Sequence, residues 1–200
     1  MRLALFVFAA ALLIGLAAGG RPARLAEVRF RWPLLGLAGI ALQLVPVSGS
    51  TGRILLIASF VLLFVVCIAN VRQPGFALIL AGLSLNFVVI AVNAGMPVTA
   101  HALTASGQQG TRTDLLHNGG SKHHLATSSD RLVFLGDAIP IGPPIRQAVS
   151  VGDLLAYAGA GWFIVSGMRR KRGVGSPEGP ESVSHRPEEP PDEGVAEASP

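Results

Sequence analysis

Five long runs of apolar residues, almost free of charge, limit what this chain can fold into more than any other feature it has. A helix that crosses a bilayer needs roughly 20 mostly apolar residues, because each residue rises about 1.5 Å across a hydrocarbon core of about 30 Å. The stretches at residues 3–18, 33–47, 54–71, 76–98 and 149–168 are such runs, and the first two need flanking residues to reach that length. Of the 200 residues, 50% are hydrophobic and 14% charged. Soluble domains approach the same apolar fraction, so the grouping of these residues into runs is what points to lipid as the solvent. The pattern predicts an all-α integral membrane bundle of about five transmembrane helices over residues 1–168, with the lipid bilayer as its first partner. No soluble catalytic domain fits beside it.

The net charge of +4 would raise nucleic-acid binding in a soluble protein, but here the basic residues sit at the ends of the apolar runs. They read as topology signals, and no nucleic-acid partner is expected. Arg21, Arg24, Arg29 and Arg31, then Arg72, then Arg169, Arg170, Lys171 and Arg172 fall on one side of a five-helix arrangement; Arg2, Arg53 and Arg146 fall on the other. Positive residues favour the cytoplasmic side, which predicts the amino terminus out and the carboxyl terminus in. The first run imitates a signal peptide, with Arg2, an apolar core and the small residues Ala17, Ala18, Gly19 and Gly20. Cleavage there would export four arginines against one acid, Glu27, so the first run is read as a retained helix. Trp32 suits the headgroup level, Trp162 lies deeper, and Cys67, the single cysteine, can form no internal disulfide. After the basic cluster, the segment 173–200 turns to Pro, Glu, Gly and Ser, with Glu188, Glu189, Pro190, Pro191, Asp192 and Glu193 at its centre. It buries too little apolar surface to offset its ordering entropy, and a disordered cytoplasmic tail is expected.

One connection is long: residues 99–149, on the outer side. Its first half is polar, whereas its second half carries Leu132, Val133, Phe134, Leu135, Ile139, Ile141 and Ile145 interrupted by Pro140, Pro143 and Pro144. Prolines in that pattern forbid a regular helix, so an extended segment over the outer mouth of the bundle is expected. On the fourth helix Gly82, Asn86, Asn93 and Pro97 share a face at about 100° per residue. Such a stripe lines a substrate path or hydrogen-bonds a neighbouring helix. The fifth helix opens with Ser150 and Asp153 in a capping-box pattern, although Asp153 could instead hold a proton or cation near the boundary. Gly152, Ala156 and Ala160, four residues apart, form a smooth face for close helix approach. His101, His117, His123 and His124 lie in the outer loop with Asp114, Asp130 and Asp137, yet they lack known zinc spacings, and neighbouring His123 and His124 suit one ion badly. No phosphate loop, nucleophile elbow or pair of membrane-embedded carboxylates is present, so no catalytic residue, cofactor or metal is expected.

Three segments carry a resemblance when taken together. They are Asn86-Phe87-Val88-Val89-Ile90 leading to Asn93-Ala94-Gly95-Met96-Pro97-Val98, then Leu135-Gly136-Asp137-Ala138-Ile139-Pro140, then Val149-Ser150-Val151-Gly152-Asp153. Their order and spacing resemble DUF5317, a family of bacterial membrane proteins of unknown function, over about Arg24 to Met168. Ala94 stands where a glycine would be expected in that pattern. The resemblance implies a multi-pass protein of the bacterial inner membrane and supplies no activity. Physically, the three segments meet at the outer ends of the fourth and fifth helices, where Gly95 and Pro97 end a helix. They are expected to fold as one unit, with Asp137 held by exposed amides, Arg131 or Arg146. Two functional readings follow. One is a non-enzymatic protein whose outer loop binds a ligand, a membrane protein partner or a second copy of the chain; the other is a transporter or channel component using the Asn86 and Asn93 face. A metal-sensing outer loop is a third.

Overall fold

The computed structural model describes residues 2–45, 49–118 and 122–170. Lys171, Arg172 and the expected disordered tail lie outside the described residues, as do residues 46–48 at the end of the second apolar run. The chain is mostly helical. Five apolar helices form the bundle: α1 (Arg2–Ala17), α2 (Pro33–Leu44), α3 (Gly49–Ala69), α4 (Phe76–Asn93) and α7 (Val151–Arg169). Between the last two lies a cap built from β1 (Met96–Val98), α5 (Ala100–Ala105), α6 (Gln109–Asn118), β2 (His123–Leu125), β3 (Ile139–Ile141) and β4 (Gln147–Val149). Short 3-10 turns occupy Pro22–Glu27 and Val133–Leu135.

Three of these helices, α3, α4 and α7, are long and apolar enough to cross a membrane. With 16 and 12 residues, α1 and α2 are shorter, and α2 reaches only about 18 Å at 1.5 Å per residue. Pro33 starts α2 at a position where its missing N–H costs nothing, and Trp32 turns the chain into it from a left-handed conformation.

Glycines set the packing of α4 on α7. A Cβ on Gly82 would run into the carbonyl oxygen of Gly152, and one on Gly75 into that of Gly159, so the two backbones touch where larger residues would hold them apart. Gly75 also has φ +84°, which only glycine adopts without strain. The smooth face expected from Gly152, Ala156 and Ala160 therefore runs through Gly152, Ala156 and Gly159 where it meets α4. At the end opposite the cap, the rings of Phe30, Phe76 and Phe163 pack together, Phe76 and Phe163 edge to face at 5.3 Å. There α1 also meets the end of α7: Arg21 N–H donates to the Met168 carbonyl (2.9 Å), and Gly15 and Gly20 leave room for the Met168 side chain.

The structure departs from the expected all-α plan at the cap. The fourth helix ends at Asn93 rather than continuing to Val98, because Ala94 is left-handed (φ 55°) and the chain then runs extended as β1. The fifth begins at Val151, since residues 147–149 are strand β4. The third begins at Gly49, which places Arg53 inside a helix instead of before one. The polar first half of the long connection contains two helices, α5 and α6, and its second half contains the antiparallel pair β3–β4 with Ile139 opposite Val149. Strands of three residues are too short to show a period of two, and their pairing partners lie elsewhere in the chain.

An alanine in the left-handed region is disfavoured by about 1 kcal/mol or more, and glycine relieves that cost. Ala94→Gly is expected to stabilise the protein by about 1 kcal/mol, read as a rise of a few degrees in the melting temperature of the detergent-purified chain. No rise would mean that the helix end relaxes without strain.

Candidate functional site

The cap is joined to the bundle through a closed set of polar side chains at the start of α7. Ser150 is fully buried. Its Oγ accepts from Asp153 N–H (2.9 Å), and its own N–H donates to Asp153 Oδ2 (3.3 Å), so both halves of the expected capping box are present. Asn86 completes the circle from α4: its Nδ2 donates to Asp153 Oδ1 (2.8 Å), and its Oδ1 accepts from the Ser150 hydroxyl (2.8 Å). Gly152 is required beside it, because a Cβ there would strike the Asn86 amide. Of the stripe read on the fourth helix, Gly82 and Asn86 face α7, Asn93 faces the cap, and Pro97 has left the helix altogether.

Asn93 works as a two-pronged clamp. Its Oδ1 accepts from Arg131 N–H (2.7 Å), while its Nδ2 donates to the Arg131 carbonyl (2.8 Å) and to the Val89 carbonyl one turn back (2.9 Å). A few residues on, β1 lies between two neighbours. It pairs in parallel with β2, Met96 opposite His123, and on its other edge Asp137 N–H donates to the Pro97 carbonyl (3.0 Å) while Thr99 N–H donates to the Asp137 carbonyl (3.1 Å). Met96, Pro97 and Val98 are buried, and Val98 joins Ala102, Leu103 and Ala148 in the small apolar core of the cap. The structure thus brings together the three segments singled out in the sequence. Gly95 packs beside the His124 ring and the Lys122 carbonyl, and Gly136 against the Pro97 carbonyl.

Asp137 is held differently from the expectation. Among the described residues no backbone amide donates to its carboxyl and neither Arg131 nor Arg146 pairs with it: Arg131 is engaged through its backbone by Asn93, and the side chain facing the Asp137 carboxyl is the His123 imidazole at 3.6 Å. Burial pushes the Asp137 carboxyl up to about 7, helped by the negative charge of Asp153. His123 moves the other way. Desolvation lowers its pKa and the neighbouring Lys122 and His124 add to this, against the pull of Asp153, although about half of the side chain (52%) remains accessible. His124, next in the strand, points to a different carboxylate, with Nε2 at 2.9 Å from Asp130 Oδ1. Desolvation raises Asp130, but hydrogen bonds from the Thr127 N–H, His124 and the Thr127 hydroxyl outweigh it and hold the carboxyl below its usual range. The two neighbouring histidines therefore serve two carboxylates. Among the described residues no three His, Cys, Asp or Glu side chains converge as a metal site would require.

The raised Asp137 pKa makes stability depend on pH. Between about pH 4 and pH 7 the folded protein keeps a proton that the unfolded chain has released, so stability falls as pH rises through that window and levels off above it. Asp137→Asn removes the titration. Relative to the parent, the variant should gain roughly 2 kcal/mol between pH 5 and pH 8, read from melting temperatures over that range. A constant difference would show that Asp137 does not titrate there.

Sequence reading passed over a cleft on the same end of the molecule, with a volume of about 430 Å³, lined by Arg2, Gly107, Gln108, Thr111, Arg146 and Gln147. Its walls are tied down by glutamines. Gln108 Oε1 accepts from Ala148 N–H (2.7 Å) and from the Ser106 hydroxyl (3.1 Å), and Gln147 Oε1 accepts from Leu3 N–H (3.1 Å), which docks the start of α1 against β4. Among the described residues no carboxylate lines it, and the two arginines give it a positive character.

The family profile described as a family of unknown function, DUF5317, matches residues 27–165. The chain belongs to the DUF5317 family. The matched region runs from the end of the first 3-10 turn into α7, and it includes the whole cap with Asn86, Asn93, Gly95, Pro97, Asp137, Ser150, Gly152 and Asp153. Helix α1, with Arg2, lies before it. A relative from Thermotoga maritima, described as an uncharacterized protein, is 32% identical over 162 residues, which cover 80% of this chain and 88% of the relative. No solved structure matches.

Proposed function

We propose that this chain is a multi-pass protein of the bacterial inner membrane, amino terminus out and carboxyl terminus in, that holds a ligand or a membrane protein partner at its outer cap without catalysing a reaction. The observation that carries this reading is the positive, polar cleft of Arg2, Gln108, Thr111, Arg146 and Gln147 on a cap anchored to the bundle by part-buried hydrogen bonds. The orientation is supported by charge. Arg21, Arg24, Arg29, Arg31 and Arg169 belong to the end opposite the cap, where the positive-inside rule puts the cytoplasm. A second copy of the chain and another membrane protein both suit a cleft of this kind.

A photoreactive residue at Thr111 tests the reading. In intact cells it should give adducts with a second polypeptide or with a soluble ligand, whereas one at Leu37, which is exposed on α2 and does not line the cleft, should give neither. No adduct from Thr111, or equal adducts from both, would remove the cap from consideration. The transport reading needs water at Asn86, whose amide is engaged at both ends by Asp153 and Ser150. A cysteine at Asn86 in a Cys67→Ala background should therefore resist water-soluble maleimide; rapid labelling would favour transport.

A further inference from the structure

Arg53 lies in the first turns of α3, on the cap side of the bundle, where the positive-inside rule gives a cation no role. It lines a second pocket, about 350 Å³ in volume, formed where the start of α3 meets the end of α4. One wall is Arg53, Leu56, Ile57 and Phe60; the other is Phe87, Ile90, Ala91 and Ala94. Arg53, Leu56, Ile57 and Phe60 repeat at i, i+3, i+4 and i+7, and Phe87, Ile90 and Ala91 at i, i+3 and i+4, with Ala94 just past the end of α4, so two antiparallel helices turn one stripe each into the same cavity. Lys122, just before β2, lines the same pocket from the cap. From Arg53 to Phe60 the pocket runs about 10 Å along the helix, with Leu56 and Phe60 buried in its floor and Phe60 packed on Phe87 at 5.3 Å.

Charge and polarity are therefore separated along one cavity. Two cations belong to the cap end, apolar side chains line the rest, and among the described residues no carboxylate lines it. Among the described residues neither Arg53 nor Lys122 forms an ion pair. The flanks, Ile54, Ile57 and Val61 on α3 and Val88 and Val92 on α4, are exposed and apolar, so the pocket opens toward hydrocarbon in the bundle's membrane setting. Desolvation lowers the pKa of Lys122, and a bound anion would offset the cost of holding its ammonium away from water.

We propose that this pocket binds one phospholipid with an anionic headgroup, its phosphate between Arg53 and Lys122 and an acyl chain against Leu56, Phe60, Phe87 and Ile90. A neutral or zwitterionic lipid offers the same chain but no net charge to match the two cations. A soluble phosphate offers the charge but nothing to fill the apolar depth. The proposal rests on the bilayer placement of the bundle and is independent of the cleft at Arg2 and Arg146.

The test is lipid binding to the full chain, purified and delipidated in a nonionic detergent, followed by native mass spectrometry and by the melting temperature. Phosphatidylglycerol is expected to bind at least about tenfold more tightly than phosphatidylcholine of the same acyl chains, as two interfacial cations can produce. The Arg53→Gln/Lys122→Gln double variant should lose that preference with its lipid-free melting temperature unchanged. Ala91→Trp, which keeps both charges and fills the cavity at an exposed position, should weaken binding of both lipids. Arg2→Gln/Arg146→Gln should keep the preference in full. Equal affinity for the two lipids, a preference that survives in the Arg53/Lys122 variant or disappears with Arg2 and Arg146, or undiminished binding in Ala91→Trp would overturn the assignment. Competition by inorganic phosphate at the same concentration as the lipid would overturn it too, by assigning the site to a soluble anion.

Discussion

Gly82→Val is expected to cost about 3 kcal/mol or more and to leave little folded protein at 37 °C, because it inserts side-chain atoms where two backbones already touch. The Cβ alone would overlap the Gly152 carbonyl oxygen and approach Ala156 N to 2.8 Å, and neither is the end of a flexible side chain that could swing away. Relief requires α4 and α7 to separate. Separation also pulls Asn86 from Ser150 and Asp153, so one substitution loosens both the helix contact and the attachment of the cap. The readout is the monodisperse fraction and melting temperature in detergent. Gly142→Ala, at a glycine with open space around it, is the control and should change stability by no more than about 0.5 kcal/mol. If Gly82→Val matched that control, the α4–α7 contact could not be as close as the structure shows.

Asn70→Ala is the second large effect, also about 3 kcal/mol, and it acts through lost hydrogen bonds rather than overlap. Asn70 is 2% exposed and follows the end of α3. Its Oδ1 accepts from Arg31 N–H (2.8 Å), and its Nδ2 donates to the carbonyls of Arg31 (2.9 Å) and Val66 (2.8 Å). Removing the amide leaves the part-buried N–H and C=O of Arg31 without their Asn70 partners and removes the buried bond to the Val66 carbonyl; an unpaired group costs roughly 1–3 kcal/mol when buried and less where water reaches it. Asn93 repeats the geometry at the other end of the bundle, with Arg131 and Val89 in the places of Arg31 and Val66. In both cases the clamped arginine is followed by a left-handed residue, Trp32 or Leu132, that opens the next helical turn. Because its Arg131 bonds are exposed, Asn93→Ala should cost less than Asn70→Ala when melting temperatures are compared. The reverse order would mean that exposure does not set the strength of these clamps.

Much of the bundle was legible in the residue order. Apolar runs with charged ends locate helices because burial in lipid is a one-dimensional property of a segment, and the Ser150 to Asp153 capping box is local, with both partners within one turn. The segments at residues 93–98, 135–140 and 149–153 could be grouped because each flanks an end of α4 or α7 or lies between them. Other features carry no local signal. Nothing near Asn70 in the run at 54–71 marks it out, since the backbone it holds is 39 residues away. Asp137 was expected to be held by exposed amides, Arg131 or Arg146, whereas the fold of the cap places His123 beside it. The α3–α4 pocket needed two helical faces in contact before Arg53 and Lys122 could be seen to share a cavity.

By itself, then, the sequence determined a mostly helical, lipid-compatible bundle, the set of residues at each of its ends and the start of its last helix, all of which follow from runs of side-chain polarity and from contacts within a turn. Only the tertiary structure decided that the long connection folds into a cap of short strands and helices, that two asparagines clamp distant backbone, and that cations gather at two separate cavities. The physical reason is range. Strands of three residues and hydrogen bonds across 38 or 39 positions gain their stability from partners that the local sequence does not contain.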